Sequence, residues 1–221
     1  MKIDNRDDLL VCRRNEILPG ALPFFQTGIE GLMEYDETTH KYHVNSETAG
    51  YFELLYGPLE IENVVMIFDC RPFVNRFFRG MAREFWPCEE VILDNLDFIF
   101  EGYEELRRKL DKLADYQYCL ANLMPAPVGF GKMDHTQKRR WIDENMEDLS
   151  LQVFCEYEPF CEDANADEPV TDDPVELIPF MRSVDNAIVC IEYRSMKLIN
   201  RYYKKEGRNQ GRRCWNDICN E

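Results

Sequence analysis

Leu96-Asp97-Phe98-Ile99-Phe100-Glu101-Gly102-Tyr103-Glu104-Glu105-Leu106-Arg107-Arg108-Lys109-Leu110-Asp111-Lys112-Leu113-Ala114-Asp115-Tyr116-Gln117-Tyr118-Cys119-Leu120 is the stretch whose periodicity decides the fold class. Leu96, Ile99, Tyr103, Leu106, Leu110, Leu113 and Leu120 recur at helical spacing, broken only by Gln117. This pattern predicts a helix over 96–120 with one face on a core and Asp94 as its N-cap. Pro125 and Pro127 end it, and Gly129 and Gly131 continue the loop.

Outward from there, a second helix is expected from Ser183 to Glu206, with Val184, Ile188, Ile191, Leu198 and Tyr202 on its apolar face and Gly207 as its stop. A third starts at Asp134, with Gln137 three residues on as a capping-box partner and Ile142, Met146, Leu149 and Val153 as its stripe. Leu32 to Tyr35, a turn at 36–39 and His40 to Val44 read as a hairpin. Ser46 caps a short helix through Leu55, ended by Gly57-Pro58. Ile61 to Phe68 holds an apolar run of strand length, and Pro72 suits the first turn of a helix reaching about Phe85. Val91-Ile92-Leu93 reads as another short strand. The expected fold is α+β, predominantly helical, with a few short strands in a single globular domain over 1–221. Residues 158–174 form an acidic loop marked by Pro159, Pro169 and Pro174, and 208–221 a polar C-terminal tail. A chain of 221 residues buries about 70% of its unfolded surface without staples.

The formal net charge of −16 is concentrated in one place. No Lys or Arg stands between Arg140 and Arg182, while Asp143, Glu144, Glu147, Asp148, Glu156, Glu158, Glu162, Asp163, Asp167, Glu168, Asp172, Asp173 and Glu176 all do. From Arg182 onward the sign reverses, with nine Lys/Arg against five Asp/Glu. So acidic a chain is repelled by nucleic acid and by anionic membranes and attracted to a basic protein surface. The same carboxylates also serve solubility.

The cysteines number nine, an odd count with no C-x-x-C pair, and the N-terminus is charged with no apolar signal core. Reduced thiols in a cytoplasmic protein are therefore expected, mostly as small buried hydrophobes. No apolar run is long enough to span a membrane. The histidines give no metal site: His40 and His43 fall on opposite faces of a regular strand, and His135 stands alone. No cofactor and no metal are expected.

One catalytic pattern stands out. Cys70-Arg71-Pro72-Phe73-Val74-Asn75-Arg76, after an apolar strand and before a helix, resembles the Cys-x5-Arg loop of cysteine phosphatases and rhodaneses. That resemblance implies a Cys70 thiolate nucleophile and an Arg76 fork on the substrate oxygens. Against it, the loop has no Gly, and Pro72 removes one of the N–H donors an oxyanion cradle uses.

The acidic block carries the other reading. Carboxylates on a helix and loop can imitate phosphate spacing and occupy the basic groove of a nucleic-acid enzyme. In this respect the chain resembles phage-encoded inhibitors of bacterial defence systems, anti-CRISPR proteins among them. The expected function is a non-enzymatic protein-interaction module. Its contact residues are Asp143, Glu144, Glu147, Asp148, Glu158, Glu162, Asp163, Asp167, Glu168, Asp172 and Asp173, with Trp141, Tyr157 and Phe160 as anchors. A cysteine-dependent hydrolase using Cys70 and Arg76 is the alternative.

Finally, Tyr118-Cys119-Leu120-Ala121-Asn122-Leu123-Met124-Pro125-Ala126-Pro127, followed by Gly129-Phe130, resembles a segment of an uncharacterised family of bacterial intracellular proteins. There an apolar helix leads to an Asn and a Pro-containing loop, and a late helix corresponds to Ile188–Tyr202. The resemblance implies no functional residues.

Overall fold

Local chemistry accounts for most of the short elements. In the computed structural model, residues 3–11, 33–38, 41–58, 60–68, 70–84, 88–134, 136–138, 140–141 and 169–205 are described. The alternating residues pair as expected: β1 (Met33–Asp36) lies antiparallel to β2 (Lys41–Val44), with Tyr35 opposite Tyr42. The Thr38 N–H donates to the Asp36 carboxylate at 2.8 Å and closes the turn. Helix α1 (Ser46–Tyr56) is capped one residue earlier than expected. Asn45, not Ser46, has the extended backbone a cap requires, and its side chain accepts from Thr48 N–H at 2.8 Å. Gly57, at φ 96°, ends the helix.

Strand β3 (Ile61–Met66) leads into α2 (Arg71–Met81), which opens on Pro72 as predicted and stops at Met81 rather than Phe85. The expected strand at 91–93 is instead part of α3 (Glu89–Asp94), because a three-residue apolar run does not distinguish strand from helix. The stretch 96–120 is not one helix either. It splits into α4 (Leu96–Ile99) and α5 (Glu104–Tyr116) at Gly102, whose φ of 81° no helix accommodates. Asp94 closes α3 instead of capping the next helix, and Asn95 takes that place. The predicted core face holds all the same: Ile99, Leu106, Leu110, Leu113 and Leu120 are buried.

After a 3₁₀ turn at Leu120–Asn122 the chain forms β4 (Leu123–Pro127), where a loop was expected, and pairs antiparallel with β3. The capping box at the next helical start is present: Asp134 N–H donates to Gln137 Oε1 at 3.0 Å, and Gln137 N–H to Asp134 Oδ1 at 2.8 Å. The last helix, α6 (Pro174–Lys205), starts nine residues before the expected Ser183. Pro174 suits a first turn, and Pro179 is tolerated only two turns in, where Ser183 Oγ donates to its carbonyl at 3.0 Å. Val184, Ile188, Ile191, Leu198 and Tyr202 are all buried, as the pattern required.

The fold is therefore α+β and predominantly helical, with two two-stranded antiparallel sheets, β1–β2 and β3–β4, among the described residues. Helix α6 runs alongside α5 and reaches α1, the 3₁₀ turn at 120–122 and the N-terminal turn Asp7–Leu9. The core between them is aromatic: Phe77 and Phe100 stack at 4.7 Å, and Phe73 of α2 meets Phe180 of α6 at 6.1 Å. No helix among the described residues is long and apolar enough to cross a membrane.

Candidate functional site

Where α5 ends and the chain turns into β4, several carbonyls lose their helical partners and need donors. Arg194, at only 1% exposure, supplies them. Its Nη1 donates to the carbonyls of Leu120, Ala121 and Leu123 at 3.4, 2.5 and 3.1 Å, and its Nη2 to the Tyr56 hydroxyl. Its Nε has no hydrogen-bond partner among the described residues. The buried cation is thus held by carbonyl dipoles rather than by a carboxylate. Asn122 works beside it: Nδ2 donates to the carbonyls of Phe68 and Gln117 at 2.8 and 3.0 Å, and Oδ1 accepts from Phe68 N–H at 2.9 Å. Both N–H bonds of that amide and its oxygen find partners inside the protein, so the junction is a structural clasp.

Cys70 belongs to the same clasp. It is 1% exposed, and both its N–H, at 3.4 Å, and its thiol donate to Gln117 Oε1. Arg76 points elsewhere, its guanidinium carbon 5.6 Å from the centre of the Phe180 ring. It lines a surface hollow of which Cys70 is no part. A nucleophile and an anion fork must face the same atom, so this geometry lends the Cys-x5-Arg reading no support. Cys119 and Cys190 are also buried thiols, whereas Cys88 is exposed.

The acidic stretch is attached to the body at both ends. On its leading side Trp141 packs edge-on against buried Phe130 at 5.1 Å, so this residue, expected as a surface anchor, serves the protein's own packing. On its trailing side Val170, 1% exposed, lies across α2: its N–H donates to the Arg76 carbonyl at 3.0 Å. Gly80 makes that approach possible, because a Cβ there would stand 1.7 Å from the Val170 carbonyl oxygen.

Just past this contact, α6 begins. Asp173 caps it, its carboxylate accepting from Val175 N–H at 2.9 Å, and Glu176 reaches back to Thr171 N–H and Oγ1 at 3.1 and 2.6 Å. Asp172, Asp173 and Glu176 are exposed, and none of them is ion-paired among the described residues. Val175 and Ile178 stand among them at 79% and 56% exposure. Beside them opens a hollow of about 200 Å³ lined by Arg76, Pro169, Val170, Pro179, Phe180 and Ser183, together with Val175 and Glu176.

Charges on the rest of α6 are answered differently. Asp185 accepts from Lys109 Nζ at 2.8 Å; Glu192 accepts from Lys112 Nζ at 2.7 Å and from the Tyr116 hydroxyl at 2.9 Å. Burial, then the bond to Glu192, pushes the Tyr116 phenol far above its ordinary range. Burial likewise raises the Asp111 carboxyl, with nearby Arg107 opposing.

Of the contact residues expected from the sequence, Asp172 and Asp173 lie together at the start of α6. Asp143, Glu144, Glu147, Asp148, Glu158, Glu162, Asp163, Asp167 and Glu168, with Tyr157 and Phe160, lie outside the described residues. Sequence reasoning passed over Val175, Ile178, Gly80 and Arg194. Arg194 had a signal, standing three residues after Ile191 and four before Leu198 on the buried stripe. Among the described residues no three His, Cys, Asp or Glu side chains come together as a metal site requires. Comparison with protein-family models, with curated proteins and with solved structures gives no match.

Proposed function

We propose that this chain is a non-enzymatic interaction module that presents the carboxylates of residues 143–176 to a basic protein surface. The observation that carries the reading is the state of the acidic residues at the start of α6: exposed, adjacent and without a cationic partner among the described residues, whereas those farther along the helix are paired. Unpaired carboxylates of one sign steer a basic partner and raise its association rate, with strong salt dependence. In its finer form the proposal makes the partner a nucleic-acid-processing enzyme, such as a bacterial defence nuclease. The carboxylates then stand in for phosphates and the chain inhibits by occlusion.

The test is capture from a bacterial lysate at low and high salt, using the wild-type chain and a variant with Asp163→Asn, Asp167→Asn, Glu168→Gln, Asp172→Asn and Asp173→Asn. Exposed pairs contribute about 0.2–1 kcal/mol each, so the partner's Kd should weaken at least about fivefold and its salt dependence should flatten. Equal capture by both chains would overturn the proposal.

A further inference from the structure

We infer that the first turn of α6 is an anchor for a basic partner segment that carries large apolar side chains between its lysines or arginines. This deepens the reading above and rests on it. Val175 and Ile178, three residues apart, share one face of the helix. They are the two most exposed apolar residues of that helix, at 79% and 56%, and they do not contribute to the core. Nothing in the fold requires either to be apolar. The adjoining hollow of about 200 Å³ has Pro169, Val170, Pro179 and Phe180 in its walls and can admit part of an apolar side chain. Its floor is firm: Val170 is tied to the Arg76 carbonyl, and Phe180 is 2% exposed.

The surroundings identify the occupant by charge. Asp172, Asp173 and Glu176, all exposed, stand within a few residues of the apolar pair in the chain. No cation follows on α6 until Arg182, and Arg76, the one cation at the hollow among the described residues, has its guanidinium over Phe180. The helix N-terminus is already served by Asp173, so it offers no site for an anion. An acidic or neutral apolar segment would have to bring further negative charge or leave these carboxylates unanswered. A basic amphipathic segment satisfies both features together: its apolar side chains cover Val175 and Ile178, and its cations meet the carboxylates. A central apolar contact surrounded by charge is also how binding energy concentrates at interfaces.

The test uses the full chain and two synthetic peptides of equal charge, an oligolysine and a peptide of alternating leucine and lysine, with fluorescence anisotropy at low salt. Wild-type protein should bind the leucine–lysine peptide at least about tenfold more tightly than oligolysine. Val175→Ser with Ile178→Ser, both exposed and so safe for folding, should abolish that preference and leave oligolysine affinity unchanged. A preference that survives the double substitution, or is absent from the wild type, overturns the inference. A wild-type dimer that the double variant dissolves, read by sedimentation, also overturns it, because the face would then meet a second copy of this chain. The variant with Asp163, Asp167, Glu168, Asp172 and Asp173 neutralised should lose affinity for both peptides. If it binds both as the wild type does, the acidic reading fails, whatever happens at Val175 and Ile178.

Discussion

The start and the body of one helix treat charge in opposite ways. In the body of α6, Asp185 and Glu192 each meet a lysine of α5, and Arg194 is enclosed by three carbonyls and a tyrosine. At its start, Asp173 accepts from a backbone N–H and Glu176 from Thr171, and two apolar side chains stand exposed beside them. The difference shows what the fold needs for itself. Where α6 packs against α5, its two carboxylates are each answered by a lysine; where it begins, Asp172, Asp173 and Glu176 form no ion pair among the described residues.

The comparison breaks most readily at Arg194. Arg194→Met leaves the carbonyls of Leu120, Ala121 and Leu123 without a donor, and urea denaturation should show a loss of roughly 3 kcal/mol or more. A loss under about 1 kcal/mol would mean that the clasp is not what holds α6 to the β3–β4 ribbon. A smaller effect is expected at the boundary between the two regions. Gly80→Ala must displace Val170, costing about 1–3 kcal/mol, and limited proteolysis between 141 and 174 should accelerate. Unchanged cleavage would remove Gly80 as the foothold of the acidic stretch. The smallest effects compare the carboxylates directly. Glu192→Gln should cost up to about 1 kcal/mol, whereas Asp172→Asn should leave stability within about 0.5 kcal/mol. Equal costs would erase the contrast.

Much of the helical framework was legible before any coordinates, because burial leaves a period in the sequence. The five apolar residues expected on α6 are all buried, and so are Leu106, Leu110 and Leu113 on α5. What escaped the reading depended on distant partners. Gly102 breaks the 96–120 stretch through its positive φ, yet a single glycine in a helical pattern is often tolerated. Gly80 matters only because Val170, ninety residues on, lies against it. Strand β4 was hidden by its own prolines, which in isolation signal a loop. The acidic block was plain as composition, but composition cannot tell an answered charge from an unanswered one. That distinction appeared only once Lys109 and Lys112 were seen beside Asp185 and Glu192.

The way Asn122 is bound explains how a strand with prolines at 125 and 127 can exist. Both prolines lack an N–H, and their spacing of two puts the missing donors along one edge of β4. Alignment with β3 is set just beyond the paired residues: Asn122 grips Phe68 from both sides of its amide, and the Asn122 carbonyl takes the Ile67 N–H at 2.9 Å. The pin at Asn122 sets the register over Val64–Met66 against Leu123–Pro125, and the alignment shifts by one residue only farther on, between Ile61 and Asn63. Replacing Pro125 with a β-branched residue would therefore leave the alignment of Val64–Met66 with β4 as it is.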